Sequence, residues 1–124
     1  MFYKGLILDL DDTLYSYSNC HNVALAKVIN YLKLKYANID FNYYYSIVSM
    51  QLKNELLNTA SSHNKSIYFK HLLEKTNIGL YLFSTIHNIY WNAFYESMNC
   101  FDGVKEFIQW NKQNDIKIGI LTDY

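Results

Sequence analysis

Gly5-Leu6-Ile7-Leu8-Asp9-Leu10-Asp11-Asp12-Thr13-Leu14-Tyr15 sets an apolar run directly before an acidic cluster. Residues Tyr3 to Leu8 read as a short strand buried on both faces, as strands of a covered parallel sheet are. Asp9 and Asp11, one residue apart and just past that strand, repel each other and lose hydration. A lone Asp here would be a solvated turn or cap; this run instead calls for a cation or a shared proton. Oxygen ligands beside a hydroxyl suit magnesium better than zinc. One carboxylate can attack phosphorus while the other moves protons, which makes phosphoryl transfer to an aspartate feasible.

Downstream, Tyr15 to Ser18 reads as a turn or short flap. From Asn19, Val23, Ala24, Ala26, Val28, Ile29 and Leu32 recur at helical spacing. Asp40 is placed to cap a second helix whose apolar face carries Tyr44, Ile47, Val48, Leu52 and Leu56. Asn58 to Lys65 reads as a polar loop. Ser66 is placed to cap a third helix with Ile67, Phe69, Leu72 and Leu73. Asn77-Ile78-Gly79 signals its end, Gly79 being the expected left-handed residue. A fourth helix spans about Leu80 to Ser97, with Phe83, Ile86, Ile89, Tyr90, Ala93 and Phe94 apolar. Phe101-Asp102-Gly103 is a turn, and Val104 to Asn114 an amphipathic helix with Val104, Phe107, Ile108 and Trp110 on one side. Ile116 to Leu121 is a second apolar strand, followed by Thr122-Asp123-Tyr124.

Strand, helices, helix, strand implies two parallel strands joined by a right-handed crossover, an α/β arrangement. Ligands of open α/β sheets bind beyond the C-terminal strand ends. Both ends here are polar: Asp9 and Asp11 after the first strand, Thr122 and Asp123 after the second.

The 124 residues carry eleven lysines, no arginine and eleven acidic residues, for a net charge of zero. That balance leaves no electrostatic footprint for nucleic acid. No signal peptide is visible, because Asp9 ends the apolar run early, and no run approaches a membrane span. A soluble cytoplasmic protein is expected, with no membrane partner. Cys20 and Cys100 read as small buried hydrophobes, a regulatory disulfide being the alternative. The four histidines form no zinc pattern. His63, Asn64 and Lys65 read as a solvated loop, with a substrate-facing role as the sharper alternative. Tyr43-Tyr44-Tyr45 reads as helix packing with an exposed edge.

GLILDLDDTLY resembles motif I of the haloacid dehalogenase-like (HAD) superfamily, DxDx[TV]L, and KIGILTDY resembles its motif II, an apolar strand ending in Thr or Ser. The resemblance implies a partial Rossmann-like core at 1–18 and 100–124, with a helical cap of the C1 type inserted at 19–99. It implies a phosphatase or nucleotidase-like member acting on a small phosphorylated metabolite, a nucleotide being one class. Asp9 would be the nucleophile and Asp11 the general acid and base. Mg2+ would be held by the Asp9 carboxylate and the Asp11 backbone carbonyl. Thr122 would bind the phosphoryl oxygens and Thr13 would brace the loop. Asp12 and Asp123 match variable positions. Asp11 favours a phosphomonoesterase over a dehalogenase, which needs no proton donor to an alkoxide.

Two elements of the family pattern have no counterpart here: the motif III lysine and the motif IV acidic residues, both on later strands. The expectation is therefore an N-terminal part of the enzyme, ending after motif II and with little or no activity alone. A complementing chain carrying motifs III and IV would restore the set. The alternative is a non-catalytic remnant or binding module that pairs with another chain. A receiver-like phosphoacceptor domain is disfavoured by the long insert after motif I.

Overall fold

A computed structural model describes residues 4–57 and 59–122. Tyr3, Asn58, Asp123 and Tyr124 lie outside the described residues. The chain is mixed α/β and mostly helical. Its elements run β1 (Gly5–Leu8), α1 (Tyr17–Lys35), α2 (Phe41–Glu55), α3 (Lys65–Lys75), α4 (Phe83–Glu96), α5 (Val104–Gln113) and β2 (Lys117–Ile120). One-turn 3-10 helices at Ala60–His63 and Leu80–Leu82 precede α3 and α4.

β1 and β2 form a parallel pair, Gly5 opposite Lys117 and Leu8 opposite Ile120. The Leu121 N–H donates to the Leu8 carbonyl at 2.9 Å and carries the ladder one step past the strands. The expected burial on both faces is not met. Ile7 is 74% exposed and Ile120 51% exposed. α5 packs against β2, and one helix beside two strands cannot cover two faces. Phe107, Ile108 and Trp110 of α5 are exposed for the same reason.

The hydrophobic core lies in the four helices between the strands. α1 packs on α4 and α2, α2 on α3, and α3 on α4. Ala24, Val28, Leu32, Phe41, Phe69, Leu72, Leu73, Ile86 and Tyr90 are all but inaccessible. Each large apolar side chain so placed contributes about 1.5–3 kcal/mol by leaving water. The buried stripe of α1 includes Cys20, Ala24, Val28, Ile29 and Leu32; Val23 and Ala26, expected on it, are exposed. On α2 the buried side is Phe41, Tyr45, Val48 and Leu52, with Tyr44, Ile47 and Leu56 at its margin. Tyr43 stays exposed, so the tyrosine run divides between core and edge.

Helix ends follow local hydrogen bonding. Of the turn or short flap expected at Tyr15–Ser18, Tyr17 and Ser18 instead open α1, while Tyr15 bridges to Asp11 and Cys100 through its backbone. The Ser16 side chain caps it by accepting from the Asn19 N–H at 3.3 Å, and Asp12 Oδ1 accepts from the Tyr17 N–H at 2.8 Å. Asp40 caps α2 as expected, accepting from the Tyr43 N–H at 3.1 Å. α3 is capped by Asn64 and not by Ser66, whose own N–H donates to Asn64 Oδ1 at 3.0 Å. Asn77, at φ 54°, takes the left-handed turn assigned to Gly79, and the Ile78 N–H then reaches back to the Leu73 carbonyl at 2.8 Å. Gly103, at φ 84°, makes the turn into α5 that a side chain would oppose.

Candidate active site

Asp9 follows directly on β1, and the chain then turns tightly over the strand ends. The Leu14 N–H donates to the Leu10 carbonyl at 3.0 Å, and Asp12 adopts φ 57°. This turn presents Asp9, Asp11 and Asp12 to one open cleft of about 760 Å³, which Thr122 enters from the end of β2. That volume lies in the range of small-molecule sites. Asp9 and Thr122 are exposed and Asp11 is half-buried.

The carboxylates differ in how they are held. Thr13 Oγ1 donates to Asp9 Oδ2 at 2.7 Å and fixes the rotation of that carboxylate. Tyr15 Oη donates to Asp11 Oδ1 at 2.5 Å. Tyr15 is 4% exposed and packs edge-on against Phe94, 6.2 Å between ring centroids. Burial, and then the neighbouring Asp11 carboxylate, push the Tyr15 hydroxyl well above the usual tyrosine range. It therefore stays a neutral donor. Asp12 turns its carboxylate to the backbone of α1, a structural use.

The far wall of the cleft comes from the helices. His63, Asn64, Lys65 and Ser66 line it from the start of α3, with His63 and Asn64 exposed as a solvated loop would be and Lys65 half-buried. His87, Trp91 and Tyr95 line it from α4. Their spacing of four residues puts them on one helix face. Trp91 Nε1 donates to His87 Nε2 at 3.2 Å, and the Trp91 and Tyr95 rings stack at 5.7 Å. The apolar-periodicity reading passed over this face because it follows the core side of α4; the i, i+4, i+8 recurrence of ring residues was the available signal. Tyr17 also lines the cleft, and burial raises its hydroxyl pKa.

Cys20 is buried as expected, whereas Cys100 is exposed, and both are free. Cys100 pairs through its backbone with Tyr15 and the Phe101 N–H donates to the Leu14 carbonyl at 2.9 Å, so the β1–α1 and α4–α5 linkers are stitched by backbone and not by sulfur. Among the described residues, no three His, Cys, Asp or Glu side chains converge as a metal cluster. Nor is any helix among them long and apolar enough to cross a membrane.

No model of a known protein family matches the chain. It is similar to the ribulose-1,5-bisphosphate 5-phosphatase of Halopiger xanaduensis, 27% identical over 128 residues, covering 96% of this chain and 52% of that protein. The chain thus spans about half the length of the curated relative it matches.

Proposed function

We propose that this chain carries the nucleophile-bearing part of a HAD-like phosphatase, which hydrolyses a small phosphate monoester through an aspartyl-phosphate on Asp9. The observation that carries this reading is the convergence of Asp9, Asp11 and Thr122 on one cleft at the ends of two parallel strands. Similarity to a phosphatase over nearly the whole chain supports it. Under this reading residues 1–18 and 100–124 are the catalytic core and 19–99 are a cap that excludes water and selects substrate.

Asp9 has one oxygen, Oδ2, tied to Thr13. Its Oδ1 is the atom placed to attack phosphorus, breaking the bond to the ester oxygen. Asp11, steadied through Oδ1 by Tyr15, protonates the departing alcohol from Oδ2. The resulting Asp11 carboxylate then takes a proton from water, which attacks the same phosphorus and releases phosphate from Asp9. The Thr122 hydroxyl donates to phosphoryl oxygens as charge builds there.

Magnesium is the metal these donors suit. The Asp9 carboxylate and the Asp11 backbone carbonyl are hard oxygen ligands, and Mg2+ commonly keeps several waters and takes only one or two carboxylates. When bound it would neutralise phosphoryl charge. The motif III lysine and the motif IV acids have no counterpart among these residues. We propose that a further segment supplies them, in the same polypeptide or a complementing chain, against the exposed apolar faces of β1, β2 and α5.

The test is phosphoryl labelling with acetyl phosphate and Mg2+, read by peptide mass spectrometry. Label on the Asp9 peptide, absent in Asp9→Asn and accumulating in Asp11→Asn, is expected. Label on another residue in place of Asp9, or label that persists in Asp9→Asn, refutes the nucleophile. Brisk Mg2+-dependent hydrolysis of p-nitrophenyl phosphate by this chain alone, lost in Asp9→Asn, refutes the need for a further segment.

A further inference from the structure

Behind the carboxylate cleft lies a second cavity of about 770 Å³ between α1, α2 and the start of α3. Tyr17, His63 and Lys65 line both spaces, so the two adjoin across these three side chains. Their chemistry is opposite. The first holds three aspartates; the second holds Lys53 and Lys65 with the Ser49 hydroxyl, and no Asp or Glu among its described lining residues.

We propose that this second cavity is an anion subsite, in which Lys53 and Lys65 hold a second anionic group of the substrate while its phosphate ester reaches Asp9. The proposal rests on the phosphatase reading above and deepens it to a substrate class: a short, polar phosphate ester with a second phosphate or carboxylate.

Three observations carry it. The first is position. Lys65 Nζ sits over the Tyr68 ring at 4.9 Å and the Tyr17 ring at 5.9 Å, which holds its charge at the boundary of the two spaces. The second is the absence of internal compensation. Burial lowers the Lys65 pKa to about 8, and Lys53 adds to the shift. Burial also lowers the His21 pKa to about 4, with Lys65 and Lys53 contributing after it. Every influence on these two groups opposes their charge, though the chain has eleven acidic residues to draw on. A bound anion removes that conflict. The third is polarity along the path. The aspartate end repels a free anion unless a metal accompanies it, and the lysine end attracts one. A doubly anionic substrate is thereby oriented with one end fixed.

The test uses the intact chain carrying Asp9→Asn in the presence of Mg2+, which offsets the charge of Asp11 and Asp12 at the aspartate end, while loss of the nucleophile keeps the outcome independent of catalysis. Butane-1,4-diol bisphosphate, 4-(phosphonooxy)butanoate and butyl phosphate are titrated, following backbone amide resonances at 49–53 and 62–66. The bisphosphate is expected to bind at least about tenfold more tightly than butyl phosphate. The carboxylate analogue shows which second anion is preferred. The advantage should vanish in Lys53→Met/Lys65→Met and persist in Lys65→Arg, with thermal melts confirming that each variant folds. Equal affinity of bisphosphate and butyl phosphate, no saturable binding, or an advantage that survives loss of both lysines overturns the proposal. Failure of Asp9 to take up phosphoryl label refutes only the earlier reading, because this measurement is made without that side chain.

Discussion

Tyr15→Phe isolates the hydrogen bond that holds Asp11. The substitution keeps the ring and its edge contact with Phe94 while deleting the hydroxyl that donates to Asp11 Oδ1 at 2.5 Å. Hydrogen bonds to charged groups contribute about 1.5–3 kcal/mol. The Asp11 carboxylate is only half-buried, which places this one at the low end, about 1.5 kcal/mol. For a chain of this size that is a fall in Tm of roughly 6 °C. Urea or thermal unfolding, followed by circular dichroism, measures it. The decisive arm is the double-mutant cycle with Asp11→Ala. In that background the Tyr15 hydroxyl, on a side chain 4% exposed, has lost its acceptor, so removing it should be neutral or stabilising. A sign reversal of this kind is specific to the pair. An equal loss in both backgrounds would refute the reasoning and assign the effect to packing. The sign of the pH dependence is also set. Tyr15's folded pKa is raised above its unfolded value, so its contribution is full below about pH 10 and declines above it. Tyr15→Phe should flatten the alkaline loss of stability.

Other perturbations have equally definite outcomes. His21 is held neutral, its pKa lowered from 6.5 to about 4. Its contribution is full above pH 6.5 and is lost as pH falls toward 4, by about 2 kcal/mol after discounting for partial exposure; His21→Phe should flatten that slope in acid unfolding curves. Leu72→Ala empties a site that is 0% exposed among four helices and should cost about 2–5 kcal/mol in urea unfolding. Gly103→Ala meets no atom within 4 Å yet must hold φ 84°, so it should cost about 1–2 kcal/mol through the backbone alone. Gly103→Asn should cost less, which comparison of melting temperatures checks.

The two strands, the five helices and the acidic turn were legible in the chain because each rests on local periodicity and hydrogen bonding. Asp40 and Gly103 act where their residue types predict. The errors cluster where two neighbouring candidates compete for one backbone role. Asn64 displaced Ser66 as cap and Asn77 displaced Gly79 as turn residue, since whichever lies closer to the free N–H or carbonyl completes the motif. The predicted burial of the strands failed for another reason. Apolar pattern reports what a strand is suited to pack against, and only the fold reveals that one helix stands beside two strands.

Sequence order alone placed Asp9, Asp11 and Thr13 in one turn and Thr122 at a strand end, because covalent spacing fixes a turn and apolar runs mark strands. Tertiary structure decided what faces them. Parallel pairing, in a register that no local pattern encodes, set Thr122 beside the aspartates. Helix packing brought Lys65, 56 positions along the chain from Asp9, to the opposite wall. It also gathered Lys53, Lys65 and His21 around one cavity. Charges so distant in sequence meet only when a core buries the helices that carry them, and their mutual repulsion is a property of that packing.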